Sequence, residues 1–189
     1  LAKSTHTTGS ITRGQTLYHG STANADVTID ASDWRAHGSI FKGNLTSTNA
    51  NSKLLKTTVL KGFSHIGATK DCVVFQSKVG YDSGFVLSSD ANRTWVTYSE
   101  VHHAELLGGT EAYIIGNQFI TTTKKEVSSL YLNSSGCELN FANNRLSNTG
   151  NSVPNLNIDS SQKSTKSTPW VTIKSITCNS YILHVTTNL

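Results

Sequence analysis

Methionine is absent from the 189 residues, so no initiator heads the chain, and Leu1-Ala-Lys-Ser reads as a cut end of a longer polypeptide or mature product. The two prolines, Pro154 and Pro169, leave no proline-rich linker. Three cysteines, Cys72, Cys137 and Cys178, are too few, too scattered and odd in number for a disulfide scaffold. Cys72 and Cys137 each open an apolar stretch, which suits buried free thiols. No pair has metal-ligand spacing, so neither metal nor cofactor is expected. Charged residues make up 15% of the chain, and sixteen Lys and Arg against twelve Asp and Glu give a net charge of +4. The basic residues are dispersed, with no Lys/Arg run interleaved with aromatics, so nucleic acid is not an expected partner. No apolar run approaches the length of a membrane span and no signal peptide is visible, so membrane insertion is not expected. Sequons at Asn44, Asn92 and Asn133 are a chance product of Asn- and Ser/Thr-rich composition unless the chain follows a eukaryotic secretory route.

What is present is a repeat. Glu111-Ala-Tyr-Ile-Ile-Gly-Asn-Gln-Phe119 overlays Glu138-Leu-Asn-Phe-Ala-Asn-Asn-Arg-Leu146, with Asn117 and Asn144 in the same place. Each copy alternates apolar and polar positions, reaches an asparagine turn and closes on a large apolar residue. A strand, a tight turn and a second strand stacked on a copy of itself is the pattern of a parallel β-helix. Helical periodicity is hard to find. Short alternating strands are expected at 26–30, 39–43, 57–63, 72–77, 85–88, 95–100, 112–115, 130–133, 138–142, 156–159, 170–174 and 182–186.

Leading apolar positions near Phe85, Leu106, Leu130, Leu156 and Ile182 recur at nearly even intervals, each several times the length of one strand. Such intervals fit one coil of a solenoid better than the closer, hairpin-like spacing of a sandwich. A second overlay sets Trp95-Val-Thr-Tyr98 on Trp170-Val-Thr-Ile173. The expected inward ladders are Val96 and Tyr98, Ala112 and Ile114, Leu139 and Phe141, and Val171 and Ile173, with Asn117 and Asn144 forming an inner amide ladder. Six or seven coils are expected. Residues 44–52 read as a polar excursion, 160–168 as a loop lengthening one coil, 1–24 as a lead-in or cap, and 25–189 as the β-helix domain.

Val27-Thr-Ile-Asp-Ala-Ser-Asp33, Thr58-Val-Leu-Lys-Gly-Phe63 and the Gly-Asn-Gln-Phe and Asn-Asn-Arg-Leu turns resemble the pectate-lyase-like right-handed parallel β-helix superfamily. Within it, the Ser/Thr/Asn-rich style is similar to bacteriophage tailspikes and capsule depolymerases. The resemblance implies an all-β, single-stranded right-handed parallel β-helix, homotrimeric, in a virion tail component that binds bacterial surface polysaccharide. Members of that group also cleave it, as glycoside hydrolases with paired carboxylates or as lyases with a base. The fold hosts enzymes and inert adhesins alike, and no catalytic motif transfers residue by residue.

The densest titratable cluster is Glu100-Val-His-His-Ala-Glu105. Glu100 and Glu105 would serve a glycosidase as acid and base, and His102 or His103 would serve a lyase as the base; the competing reading is a solvated polar turn. A second cluster joins Asp26, Asp30 and Asp33 to Trp34, Arg35 and His37, where turn capping by aspartate competes with a site. Glu111 and Glu138, equivalent by repeat, form an acidic ledge or two exposed positions. Trp95 and Trp170 are expected to face outward, with Trp34 and Tyr113 as further sugar-stacking candidates, and Tyr131 sharing the ambiguity of Tyr113. An outward indole also suits a subunit contact. The expectation is a tailspike or tail-fibre segment that binds, and in an enzyme would depolymerise, bacterial surface polysaccharide. The alternative is a non-catalytic structural or adhesion module of a virion protein.

Overall fold

The computed structural model describes residues 5–6, 9–11, 16–48, 51–67, 69–80, 87–121, 130–132, 137–148, 156–158, 171–173 and 183–185. They form three all-parallel sheets of eight, nine and eight strands, and the chain visits the sheets in turn. The result is a β-solenoid, and no helix occurs among the described residues. One coil runs Ile40–Phe41 in the first sheet, Leu45–Thr48 in the second and Asn51–Leu55 in the third. Residues 1–24 contain Thr5–His6, Gly9–Ile11, Thr16–His19 and Thr22–Ala23, which pair into the same three sheets.

Several coils are shorter than the sequence intervals suggest. Asp33 pairs with Asn51 and Arg93 with Glu111, each partner eighteen positions further along the chain. The step from Glu111 to Glu138 is a lengthened coil, and the expected six or seven coils become eight or nine rungs per sheet. Within the polar excursion expected at 44–52 lie the strand Leu45–Thr48 and the start of the strand Asn51–Leu55. Its run of Thr46, Ser47 and Thr48 hides the pattern, because Ser47 faces the core through a hydrogen bond rather than as an apolar group. The strand expected at 57–63 is split into Thr58–Val59 and Phe63–Ile66, on different sheets. The Trp95/Trp170 overlay is out by four positions: Thr172 pairs with Glu138, Glu138 with Glu111 and Glu111 with Arg93, so Thr172 stands in line with Arg93 and not with Thr97. Phe85, Trp170 and the loop expected at 160–168 lie outside the described residues.

Inward side chains stack in columns. Phe41, Val59, Val79, Val101 and Phe119 line the first sheet, and Leu54, Val74, Val96 and Ile114 the third, all essentially inaccessible. Burial of each large side chain contributes about 1.5–3 kcal/mol. The second sheet and the facing third sheet enclose a polar string within this core. Trp34 donates its indole N–H to Ser47 Oγ at 2.8 Å, His65 Nδ1 meets Ser52 Oγ at 2.8 Å, and Ser89 meets Thr94 at 2.9 Å. Cys72 lies between the Ser52 and Ser89 hydroxyls, and burial pushes its thiol pKa up to about 12.

The corner between the third and first sheets has the same length in seven successive coils. In each of these seven the third-sheet strand is followed by one residue of positive φ, in order Gly20, Gly38, Lys56, Gln76, Tyr98, Gly116 and Asn143. The next residue is always buried and polar: Ser21, Ser39, Thr57, Ser77, Ser99, Asn117 and Asn144. Their side chains tie one coil to the next, as where Ser77 N donates to Ser99 Oγ at 3.1 Å and Ser99 N to Asn117 Oδ1 at 2.9 Å. The asparagine ladder expected from the repeat is therefore present, and it continues downward as a ladder of hydroxyls.

Candidate functional site

Because these seven third-sheet strands end in the same corner, their outward residues fall into straight columns. The central column is Arg35, Lys53, Val73, Trp95 and Tyr113, each the register partner of the next. To one side stand Asp33, Asn51, Asp71, Arg93 and Glu111, with Asn51 joined to Asp71 by a hydrogen bond and the others by register. To the other side stand His19, His37, Leu55, Phe75, Thr97 and Ile115. Successive rungs of a sheet lie about 4.8 Å apart, so the columns form a continuous ruled surface.

Hydrogen bonds and ring contacts join the polar column to the aromatic one. Asn51 Nδ2 donates to Asp33 Oδ1 at 2.8 Å, and Asn51 Oδ1 accepts from the Asp71 N–H at 3.0 Å. Arg93 grips Asp71 with two parallel bonds, Nη2 to Oδ2 at 2.7 Å and Nε to Oδ1 at 3.1 Å. That bonding raises the guanidinium pKa further. The same guanidinium lies 5.3 Å from the centre of the Trp95 ring, a cation–π distance. Trp95 in turn stacks on Tyr113 with centroids 5.7 Å apart and planes 6° from parallel. The Tyr113 hydroxyl donates to Glu111 Oε2 at 3.2 Å. The half-buried indole is thus held in place on the outer side of the sheet.

Tyr98 completes this aromatic end. The sequence alternation points it inward beside Val96, yet it is 63% exposed. The strand stops at Thr97, and Tyr98 takes φ 51° at the corner, which turns its side chain outward. Its ring meets Phe75 edge-on at 6.1 Å and 90°. It also covers Gly116, where an added Cβ would come within 2.8 Å of two ring carbons. Gly116 itself has φ 68°, a conformation glycine adopts without penalty.

No protein-family model, curated protein or solved structure matches the chain.

The other candidate residues are distributed as follows. Trp34 points into the core at 2% exposure, edge-on to Phe63 at 6.2 Å, and so has no face to offer a ligand. Its neighbour Asp33 is outward, so the cluster around Trp34 is divided between the two sides of one strand. Asp26 has the turn role: it accepts from the Asn44 N–H at 2.7 Å and side-chain amide at 3.3 Å, which lowers its carboxyl pKa. Glu100 leaves from the first sheet and is ion-paired with Lys78 at 3.2 Å. Glu105 leaves from the second sheet and meets His103 Nε2 at 3.1 Å. His102 sits on the corner between them, half-buried, its N–H donated to Val79 O at 3.2 Å. The two carboxylates thus occupy different faces of the solenoid, each beside its own basic partner. Trp170, the remaining stacking candidate, is outside the described residues. Among the described residues no three His, Cys, Asp or Glu side chains are placed to hold a metal ion.

Sequence alternation does not single out Tyr98, Phe75 or Arg93. A signal for Tyr98 is nonetheless present: it directly precedes Ser99 as Gly116 precedes Asn117 and Asn143 precedes Asn144, so it shares a corner position with Gly and Asn.

Proposed function

We propose that this chain is a segment of a bacteriophage tailspike or tail fibre that binds bacterial surface polysaccharide, with the outer face of the third sheet as the binding surface. The observation that carries the reading is the outward aromatic end of that face, Trp95, Tyr113 and Tyr98, beside the polar column of Arg93 and Glu111. A pyranose has an apolar face of C–H groups and a rim of hydroxyls. Aromatic side chains match the first, and charged or amide side chains match the second. The ladders beneath fix these groups before any ligand arrives, which limits the ordering cost of binding.

The arrangement favours adhesion over depolymerisation. A glycosidase needs two carboxyl groups about 5–9.5 Å apart on either side of one bond, and Glu100 and Glu105 leave from different sheets with separate partners. A second reading, a homotrimeric structural module of the virion, is favoured by Val73, Phe75 and Ile115, which add half-exposed apolar area to the same face. Retention on a panel of capsular and O-antigen polysaccharides tests both. Adhesion predicts retention of one of them without new reducing ends or unsaturated product. Trp95→Ala and Tyr98→Ala should then weaken binding about tenfold or more, while Glu100→Gln leaves it unchanged. A trimer in sedimentation with no polysaccharide retained would support the structural module instead.

A further inference from the structure

The opposite end of the same face is basic, and its charges are arranged at a cost. Arg35 and Lys53 are direct register partners, both exposed, both in the column that leads to Trp95 and Tyr113. Like charges directly opposite on a sheet destabilise it. Two cations elsewhere on the solenoid are ion-paired, Arg93 with Asp71 and Lys78 with Glu100. Among the described residues neither Arg35 nor Lys53 is in an ion pair. The carboxylate beside them in the adjoining column, Asp33, accepts a hydrogen bond at Oδ1 from Asn51 Nδ2. Beside Arg35 on the same rung stands His37, stacked on His19 of the rung below at 5.3 Å and 17°. Lys56 projects from the adjoining corner. Among the described residues, Asp33 is the one acid group on these rungs of the face, against two cations, and it forms no ion pair with either.

Resting on the polysaccharide reading, we propose that the ligand is an anionic polysaccharide that runs along the column across the rungs, its acid groups on Arg35 and Lys53 and its sugar faces at the aromatic end. The geometry suits a polymer. Lys53 is two rungs from Trp95 and Arg35 four rungs from Tyr113, so the charged and aromatic ends lie about 10–20 Å apart, within the span of a short oligosaccharide. The fork of Arg35 matches a carboxylate or sulfate bidentately, and Lys53 supplies a point charge to the same or the next acid group.

The test is binding of the full chain to the polysaccharide panel, graded by acid content, with a carboxyl-reduced form of each acidic polymer, heparin as a sulfated probe and oligothymidylate as a phosphate probe. The expected result is binding confined to acidic polymers, lost on carboxyl reduction, and weakened about tenfold between about 50 and 300 mM NaCl. Arg35→Gln and Lys53→Gln should each weaken it several-fold, while the unfolding midpoint of Lys53→Gln is unchanged or raised because a like-charge neighbour is gone. Heparin binding that equals binding of the carboxylate polymers would assign the site to sulfate as well. Binding to neutral polymers that is indifferent to Arg35→Gln and Lys53→Gln would overturn this inference and leave the polysaccharide reading standing. Failure to bind any glycan, or tight binding of oligothymidylate alone, would overturn both.

Discussion

Asn144 reaches one coil down to Asn117 with a single oxygen: its Oδ1 accepts from the Asn117 backbone N–H at 2.9 Å and from the Asn117 side-chain amide at 3.0 Å. Asn117 Nδ2 also donates to Val96 O at 2.6 Å, and its Oδ1 accepts from Ser99 N. Asn117→Ala would leave the Ser99 N–H and the Val96 carbonyl in a buried corner without these partners. Each such group costs about 1–3 kcal/mol. Asn117→Ala is expected to lower stability by about 2–4 kcal/mol and Ser77→Ala, which removes a single hydroxyl rung, by about 1 kcal/mol, as read from urea midpoints.

Gly116→Ala carries two penalties, a side chain at positive φ and a Cβ pressed against the Tyr98 ring. The loss should be about 1–3 kcal/mol. In a double-mutant cycle with Tyr98→Ala the steric part should vanish and the backbone part remain, so the two losses should fall short of additive. Full additivity would show that the ring does not rest on Gly116.

Stability should depend on pH through His65. Burial lowers its pKa below the ordinary 6.5 of histidine, against opposing contributions from Asp90, Gly67 and Asp71. The unfolded chain therefore binds the proton more readily, and stability present above pH 6.5 is lost as pH falls below it towards the folded-state value. The Asp26 carboxyl, also lowered, acts around and below its ordinary 3.8, so the interval from about pH 7.5 to 5 separates His65 from that carboxyl. His65→Asn should flatten the urea-midpoint profile across that interval; an unchanged slope would place the titration elsewhere.

Cys72 is fully buried with its thiol pKa pushed up to about 12. A disulfide reagent at pH 8 should modify Cys72 no faster than the coil opens, and at the rate of an exposed thiol in denaturant. Peptide mapping of the labelled chain identifies the site.

The solenoid is legible in the sequence wherever large apolar residues carry the alternation, and Glu111 does pair with Glu138 as the repeat requires. It is illegible where the inward residue is a hydroxyl. Ser47, Ser52, Ser77 and Ser99 face the interior, and a serine in sequence looks like surface. The shorter coil is masked for that reason. The outward position of Trp95 is readable from its place before Val96, whereas the inward Trp34 is not, because only its bond to Ser47 makes an indole N–H tolerable there. Alternation misplaces Tyr98 because it holds only while a strand continues, and this one ends at Thr97. The separation of Glu100 from Glu105 depends on the short corner at His102 and His103, which changes sheets.

The invariant third-to-first corner divides labour along the perimeter of the molecule. Coil length varies widely, from the short step Leu87 to Ala104 to the long step Cys137 to Val171, yet none of that variation enters the corner holding Tyr98, Gly116 and Asn143. One edge acts as a ruled spine that keeps height and registration, and the rest of the circumference is free to be rewritten. A lineage built on this plan could exchange the loops bordering the second sheet, and with them what the surface recognises, while the columns of the third sheet stay in register.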